Sequence, residues 1–250
     1  RCRTGEKVEI ISKPYLLLFI MKYIFSDYDG TIKTFVKNPD FFEKINLNLN
    51  KKAINGFIEQ GNKFIIITGR TTESILDSTS KYNINYNYII SYDGRVCIDK
   101  NKNIIYAKYL NKKAFEIIDN YKLGEIDETW GVFGNTKNPD EVVSLIVNSN
   151  FKAVEKLKEL KILYSDIEFT YYKLLKKLIL SFPFDKKMGI DELIKILNLN
   201  GEIYTIGDGN NDKTMLEAFE GYKMLFCYPS LYKTNAKVST SVHSLIKKIK

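Results

Sequence analysis

Short runs rich in isoleucine alternate along this chain with longer amphipathic stretches, and this alternation restricts the folds open to it. The first three apolar runs are KYIFS, KFIII and NYIIS, and helical patterns separate them. A strand that is apolar along its whole length needs cover on both faces, as in a parallel sheet between helices. The sequence therefore predicts an α/β fold with a Rossmann-like parallel sheet.

The pattern changes between residues 93 and 181. There, strand-like runs such as GRVCID, NIIYAKYL and KLLKKLILSF alternate with two helical segments. Strand and helix then follow each other as before, through GEIYTIG to the closing VHSLIKKIK. We therefore predict a catalytic core formed by residues 21–92 and 182–250, interrupted by an inserted α+β module of residues 93–181.

The first twenty residues differ from the rest of the chain. MKYIFSDYDGT reads as a natural start at Met21, and the preceding YLLLFI is too short to span a bilayer. The segment also lacks the small-residue cleavage site of a signal peptide. We expect residues 1–20 to be an extension outside the fold, of cloning origin or from an upstream start.

A formal charge of +8 in 250 residues predicts an attraction for anions. The lysines occur in ones and twos, as on solvated helix faces, and without a recognition motif they do not predict nucleic-acid binding. Cys2, Cys97 and Cys227 are far apart, which argues against a disulfide framework, and the single His243 argues against a histidine metal site. We expect a cytoplasmic protein, bound to no membrane, that is a monomer or a weak homodimer.

Polar loops follow four of the predicted strands: DYDGT, TGR, YDG and GDGNND. The carboxyl ends of parallel strands share one edge of an open sheet, where ligands bind. Several carboxylates at one edge repel each other, and Mg²⁺, which prefers oxygen ligands, would remove that conflict. The residues that we expect to converge there are Asp27, Asp29, Thr68, Asp208, Asn211 and Asp212.

The two aspartates of DYDGT suit phosphoryl transfer. One carboxylate can attack phosphorus and form an aspartyl-phosphate, while the other can protonate the leaving oxygen and later activate water. Gly30 lets the backbone come close to a phosphate. The hydroxyl of Thr68, and Lys186 or Lys187 at a helix N-terminus, can hold the anion.

In their order along the chain, these stretches resemble the four signature motifs of the haloacid dehalogenase-like superfamily of phosphohydrolases. DYDGT resembles the first motif, IIITGR the second, the lysine of FDKKMGI the third and GDGNND the fourth. The resemblance runs from Met21 to the C-terminus. The insert between the second and third motifs is similar to that of the large-cap, Cof-type subgroup of sugar-phosphate phosphatases. The resemblance implies a Rossmann-like core with an α+β cap and Mg²⁺ as cofactor.

The resemblance also implies a role for each matching residue. Asp27 would be the nucleophile and a metal ligand, and Asp29 the general acid/base whose carbonyl oxygen also binds the metal. Asp208 would bind the metal directly, and Asp212 and Asn211 would help through water or from the outer shell. The residues that would bind phosphate are Thr68, Gly69, Lys186 and Asn211. The residues that would face the substrate are Arg70, Asp93 and Gly94.

Two positions depart from the pattern of the subgroup. The third motif reads Lys186-Lys187 where Lys-Gly is common, which leaves open which lysine serves. Asp93-Gly94 stands where the third strand commonly ends in Asn-Gly, at a position that faces the substrate in relatives, and this departure points to a different specificity. Asp93 could instead be no more than a turn residue, because Asp-Gly is a strong turn signal.

The expected function is Mg²⁺-dependent hydrolysis of a small phosphorylated metabolite, a sugar phosphate, through an aspartyl-phosphate on Asp27. Two alternatives would use the same core. One is a phosphosugar mutase of the phosphomannomutase kind, and the other is a trehalose- or sucrose-phosphate phosphatase. A non-catalytic protein that binds anions or nucleic acid is a third alternative, from a different class.

Overall fold

A computed structural model describes residues 20–34, 40–149, 151–225 and 233–249. Residues 1–19 of the predicted extension lie outside them, as do Cys2 and Cys227. Within the described residues the helices are α1 (Phe41–Glu59), α2 (Thr72–Tyr82), α3 (Lys113–Asn120), α4 (Phe151–Leu163), α5 (Lys186–Leu197), α6 (Lys213–Ala218) and α7 (Val242–Lys248). The strands are β1 (Lys22–Ser26), β2 (Lys63–Ile67), β3 (Tyr88–Ser91), β4 (Val96–Asp99), β5 (Ile104–Ala107), β6 (Gly124–Gly131), β7 (Gly134–Asn135), β8 (Ser144–Ser149), β9 (Glu168–Tyr172), β10 (Lys177–Ser181), β11 (Glu202–Gly207), β12 (Glu220–Met224) and β13 (Lys237–Ser239).

The larger of two sheets has eight strands in the order β13-β12-β11-β1-β2-β3-β4-β5. The strands from β13 to β3 pair in parallel, and β4 and β5 extend the sheet with antiparallel pairs. The predicted α/β class with a mainly parallel, Rossmann-like sheet is therefore confirmed.

The apolar runs of the sequence are explained by cover on both faces of this sheet. Ile24, Phe64 and Ile66 pack in one core with residues of α1, α2 and α7. Their neighbours along the strands, Phe25 and Ile65, point to the opposite face and pack with α5 and α6. Successive side chains of a strand point to opposite faces, so a strand between two helix layers needs an apolar residue at every position.

Helix boundaries follow the capping residues. The helix predicted at NKKAINGFIEQG begins nine residues earlier, because Asp40 accepts from the backbone N–H of Glu43 while the Glu43 carboxylate accepts from the N–H of Asp40. Of the two residues considered as the cap of α2, Thr71 is the one used, and its hydroxyl accepts from the N–H of Ser74.

The second sheet has five antiparallel strands in the order β7-β6-β8-β10-β9. Leu145, Val147, Leu178 and Leu180 line one face and pack in a core with residues of α3 and α4. The alternate residues of the same strands belong to the other face, which lies towards the loops of the larger sheet. This sheet and its helices form the cap.

Two elements of the middle segment differ from the sequence expectation. The strands over residues 96–107, which the prediction assigned to the inserted module, belong to the larger sheet: β4 pairs with β3, and β5 pairs with β4. The sheets therefore change after residue 107 rather than at 93. The strand expected over KLLKKLILSF begins only at Lys177, because a tight turn with Lys176 at φ 52° precedes it.

None of the described helices has the length and apolar character needed to cross a membrane.

Candidate active site

The loops that follow β1, β2, β3 and β11 lie side by side, because these four strands are neighbours in the larger sheet. The backbone N–H of Asp27 donates to the carbonyl oxygen of Ile206 (2.8 Å), and that of Thr68 donates to the carbonyl oxygen of Ile90 (2.9 Å). The loops after β1 and β2 are thus each anchored to the end of the neighbouring strand. The four loops lie at one edge of the sheet, as expected from the sequence.

Lys186 lies at the centre of this edge. Its Nζ donates to Oδ1 of Asp27 and to Oδ1 of Asp212, at 2.6 Å each, and the side chain is completely buried. Burial alone would lower the pKa of Lys186, but the attraction of the two carboxylates outweighs it and raises the pKa. Lys187 is exposed and pairs with Asp191, so Lys186 is the lysine that the structure places with the first and fourth motifs.

Asp27, Asp208 and Asp212 form a carboxylate cluster. Each offers one oxygen, and these three oxygens lie within 4.8 Å of one another. Burial raises the pKa of Asp27, which the attraction of Lys186 only partly offsets. Burial and the repulsion of Asp212 likewise raise the pKa of Asp208. Three carboxylates face one ammonium group, and a set of oxygen donors with excess negative charge could hold a divalent cation.

Asp212 also organises the loop of the fourth motif. Its Oδ2 accepts from the backbone N–H groups of Asp208 (2.9 Å) and Gly209 (2.8 Å), while Oδ1 accepts from Lys186. Both of its oxygens therefore already have protein donors. Gly207 is needed behind this carboxylate, because a Cβ there would lie 2.4 Å from Cγ of Asp212.

Gly30 brings the first and fourth motifs into contact. Its φ is +82°, and a Cβ at this position would lie 2.2 Å from Oδ2 of Asp208. The hydroxyl of the next residue, Thr31, donates to Oδ1 of Asp208 at 3.3 Å. The sequence analysis explained Gly30 by the close approach of a phosphate. In the structure, the carboxylate of Asp208 also lies close to this glycine.

The carboxylate of Asp29 lies apart from the cluster, in a two-point ion pair with Arg70. Nε of Arg70 donates to Oδ2 at 2.5 Å, and Nη2 donates to Oδ1 at 2.7 Å. The guanidinium also lies over the ring of Tyr28, 5.2 Å from its centroid. The hydrogen bonds to Asp29 raise the pKa of Arg70. Arg70 was predicted to face the substrate, and its described partner is the expected general acid.

Thr68 and Gly69 form a turn beneath Asp93. The buried hydroxyl of Thr68 accepts from the N–H of Arg70 (3.2 Å), and its carbonyl oxygen accepts from the N–H of Asp93 (3.0 Å). A Cβ on Gly69 would lie 3.1 Å from Oδ1 of Asp93. Asn211, predicted to bind phosphate, donates from Nδ2 to the same Oδ1 at 3.0 Å.

Residues 92–95 connect the site to the cap. Tyr92, Asp93 and Gly94 all have positive φ, at 52°, 50° and 109°. The hydroxyl of Tyr92 donates to the carbonyl oxygen of Gly131 in the cap (2.9 Å). Gly94, predicted to face the substrate, is instead buried against α5, where a Cβ would lie 2.2 Å from the carbonyl oxygen of Asp185.

Arg95 is a site residue that the sequence reasoning missed. Nε donates to the carbonyl oxygen of Phe182 (2.6 Å), Nη1 donates to that of Tyr92 (2.8 Å), and Nη2 pairs with the carboxylate of Glu168 on β9. A lone arginine after an expected turn gives no signal of these partners. The buried guanidinium joins the core to the cap.

A pocket of about 420 Å³ lies between the catalytic edge and the free face of the cap sheet. Its floor includes Gly69, Asp93, Lys186 and Asn211. Its other lining residues were not predicted as site residues. Those on the cap strands are Trp130, Ser144, Ile146, Glu168, Thr170, Tyr172, Ile179 and Ser181.

Comparison with known proteins agrees with this geometry. A family model described as haloacid dehalogenase-like hydrolase matches residues 24–135 and 129–242. A solved phosphatase of the haloalkanoate superfamily from Bacteroides thetaiotaomicron aligns with a TM-score of 0.69 and 18% identity over 92% of this chain and 94% of that chain. A HAD/COF-like hydrolase from Plasmodium vivax aligns with a TM-score of 0.66 and 16% identity, covering 92% and 95%. A HAD subclass IIB sugar phosphatase aligns with a TM-score of 0.63 and 18% identity, covering 92% and 98%.

No curated protein shows significant sequence similarity to the chain. At these identities the solved structures establish the fold, and the family model, which spans most of the chain, establishes the family. The family model confirms the predicted superfamily resemblance and supports the predicted class of enzyme, a hydrolase. The chain belongs to the haloacid dehalogenase-like hydrolases.

Proposed function

We propose that the chain is a Mg²⁺-dependent phosphatase that hydrolyses a small phosphorylated metabolite, a sugar phosphate, through an aspartyl-phosphate on Asp27. The observation that carries this proposal is the position of Nζ of Lys186, 2.6 Å from both Asp27 and Asp212. Lys186 holds the carboxylate of Asp27 in a fixed orientation at the ligand-binding edge of the sheet. A buried carboxylate with an oriented cationic partner suits a nucleophile that must approach a negatively charged phosphate.

The donor set supports Mg²⁺ as the cofactor. Asp27, Asp208 and Asp212 offer only oxygen ligands, and their charge exceeds that of Lys186. Mg²⁺ commonly binds through a few carboxylates together with waters and substrate phosphate. Bound there, it would offset the repulsion between carboxylates and phosphate and polarise the phosphoryl oxygens.

In the first step, an oxygen of Asp27 forms a bond to phosphorus while the bond from phosphorus to the leaving oxygen breaks. Asp29, which must first leave Arg70 and take up a proton from water, gives that proton to the leaving oxygen. Lys186 orients the attacking carboxylate and presents positive charge to the phosphoryl group. The hydroxyl of Thr68 and the backbone N–H of Gly69 complete the contacts to phosphate.

In the second step, water attacks the phosphorus of the aspartyl-phosphate, Asp29 accepts the proton of that water, and Asp27 is released with inorganic phosphate. Both steps require the Asp29 carboxylate to exchange Arg70 for the reacting oxygen. This proposal requires a rotation of the Asp29 side chain away from the described ion pair.

The pocket supports a small, polyhydroxylated leaving group. Its volume of about 420 Å³ suits a metabolite rather than a macromolecule. Trp130 and Tyr172 offer apolar ring surface, and Ser144, Thr170 and Ser181 offer hydroxyl groups. The solved relative described as a sugar phosphatase is consistent with this class.

The proposal is tested with p-nitrophenyl phosphate and then with a panel of sugar phosphates, by measuring released phosphate. We expect hydrolysis with Mg²⁺, loss of hydrolysis with EDTA, and recovery when Mg²⁺ is added back. Asp27→Asn is the matched inactive control. Hydrolysis that persists in EDTA, or no hydrolysis of any ester, would contradict the proposal.

A further inference from the structure

The described residues that line the pocket include more carboxylates than cationic groups. Among the described residues, the cationic ones that line it are Lys186 and Arg95, and both are already matched by carboxylates: the buried Lys186 by Asp27 and Asp212, which do not line the pocket, and Arg95 by Glu168, which does. Two further lining carboxylates remain. They are Asp93 and Asp185.

The charge of Asp185 is offset by its place in the fold. It is the N-cap of α5, and its Oδ1 accepts from the backbone N–H of Met188 at 2.8 Å. The partial positive charge of a helix N-terminus stabilises a carboxylate in this position. Among the described lining residues, Asp93 is therefore the carboxylate with neither an ion pair nor a helix N-terminus, although it lies within electrostatic reach of Lys186 and Arg95, which other carboxylates already match.

Asp93 is held rigidly with its carboxylate in the pocket wall. Its backbone N–H donates to the carbonyl oxygen of Thr68 (3.0 Å), in a left-handed conformation with φ at 50°. The described hydrogen bond to its carboxylate comes from a neutral amide, that of Asn211. The carboxylate also lies against Gly69, in the turn expected to bind phosphate. A dianionic phosphate bound beside this carboxylate is repelled by it. A positive charge elsewhere in the same ligand would offset that repulsion.

We propose that Asp93 makes this pocket selective for phosphate esters whose leaving group carries an ammonium group, as in amino sugar phosphates, and selective against esters that carry a second anion. The inference rests on the proposed phosphatase function, because it assigns the leaving-group side of the same pocket. An ammonium group would donate to the Asp93 carboxylate, whereas a second phosphate, sulfate or carboxylate would be repelled by it.

Arg95 does not provide a counter-site for a second anion. Its guanidinium donates to the carbonyl oxygens of Phe182 and Tyr92 and pairs with Glu168. An anionic leaving group would have to displace Glu168 and would leave that carboxylate without its partner, which carries a free-energy cost. The Arg95 wall therefore disfavours a second anion, and the Asp93 wall favours an ammonium group.

The test compares three esters that differ in one group: glucosamine 6-phosphate, glucose 6-phosphate and N-sulfoglucosamine 6-phosphate. For the unchanged protein we expect kcat/KM to fall about tenfold from the ammonium to the hydroxyl compound and again to the sulfated one, as for a partly buried ion pair. In Asp93→Asn the three values should converge. Asp77→Asn, on the exposed side of α2, changes the net charge equally and should leave the ratios unchanged.

Equal values for the three esters, a preference for the sulfated ester, or unchanged ratios in Asp93→Asn would overturn the inference. The same three esters are also titrated into Asp27→Asn by calorimetry, with and without Asp93→Asn. That ranking of Kd needs no turnover, so it decides the inference even if p-nitrophenyl phosphate is not cleaved and the proposed function fails. Absence of binding by all three esters would also overturn it.

Discussion

Nζ of Lys186 lies 2.6 Å from Oδ1 of Asp27, although 159 positions separate the two residues in the chain. The contact joins the loop after β1 to the helix that follows the cap. A second bond of the same length, to Asp212, closes a buried network across three of the four motifs. The site is therefore assembled only when both parts of the core have folded together.

Removing the charge of Lys186 should both destabilise the protein and inactivate it. Lys186→Met would leave Asp27 and Asp212 buried without their cation, a change that typically costs about 3–5 kcal/mol. Urea unfolding and ester hydrolysis measure the two effects. Lys187→Met is the control, because its exposed pair with Asp191 should contribute little to stability or activity. Equal effects of the two substitutions would contradict the assignment.

Asp27→Asn should abolish turnover and keep the fold. Asparagine has nearly the same volume, and its amide oxygen can still accept from Lys186, so only the nucleophile is lost. Phosphate release and the melting curve followed by circular dichroism are measured on the same sample. A folded variant with activity near that of the unchanged protein would refute Asp27 as the nucleophile.

Asp29→Asn should slow hydrolysis in proportion to the need for a proton on the leaving oxygen. With a sugar phosphate we expect a loss of about 10²–10⁴-fold in kcat, and a much smaller loss with p-nitrophenyl phosphate, whose leaving group departs without a proton. The ratio of the two losses is the measurement. The same loss for both esters would argue for a structural role of Asp29 instead.

Gly30→Ala should disturb the contact between the first and fourth motifs. The new Cβ would meet Asp208 at 2.2 Å, and the positive φ would add about 1–2 kcal/mol of backbone strain. The rate of hydrolysis should fall, and the Mg²⁺ concentration needed for half-maximal rate should rise. Gly56→Ala is the control, since a Cβ there meets no atom within 4 Å and alanine favours the α1 helix. A harmless Gly30→Ala would show that the loops can separate without loss.

Asp208→Asn should stabilise the metal-free protein at neutral pH. The pKa of Asp208 is raised by burial and by Asp212. The folded state therefore holds the proton more tightly than the unfolded state, and charging Asp208 costs stability as pH rises above the ordinary carboxyl pKa. The gain in Tm should vanish near about pH 3, where both states are protonated. Mg²⁺ should raise the Tm of the unchanged protein and not that of the variant. A lower Tm for the metal-free variant would contradict this account.

The positions of Asp27, Thr68 and Asp208 could be predicted because they depend on one rule, that parallel strands end at a common edge. The choice between Lys186 and Lys187 could not, because it depends on the rotation of α5 against the sheet. Arg95 and Glu168 could not be predicted as site residues for a related reason: their partners come from segments far apart in the sequence. The Arg70–Asp29 pair likewise needs the relative placement of two loops.

The assignment of strands to sheets shows a second limit. The apolar pattern of Val96, Cys97 and Ile98 fits either sheet equally well. All three residues are buried, and burial alone does not determine which neighbouring strand they pair with. The prediction followed the change in overall pattern at residue 93. The structure instead continues the larger sheet with antiparallel strands, a common extension of such sheets.

The tetrapeptide of residues 92–95 has a consequence for how such an enzyme can diverge. Its four side chains or backbones meet Gly131 of the cap, Asn211 of the fourth motif, the start of α5 and Glu168 of β9 in turn. A replacement of Tyr92 or Arg95 would shift how the cap sits on the core, whereas the Asp93 side chain bonds to Asn211 within the core and can change without touching the cap. Lineages that explore new substrates through Tyr92 or Arg95 should therefore carry paired changes on β6 or β9, and single replacements of these two residues should be poorly tolerated.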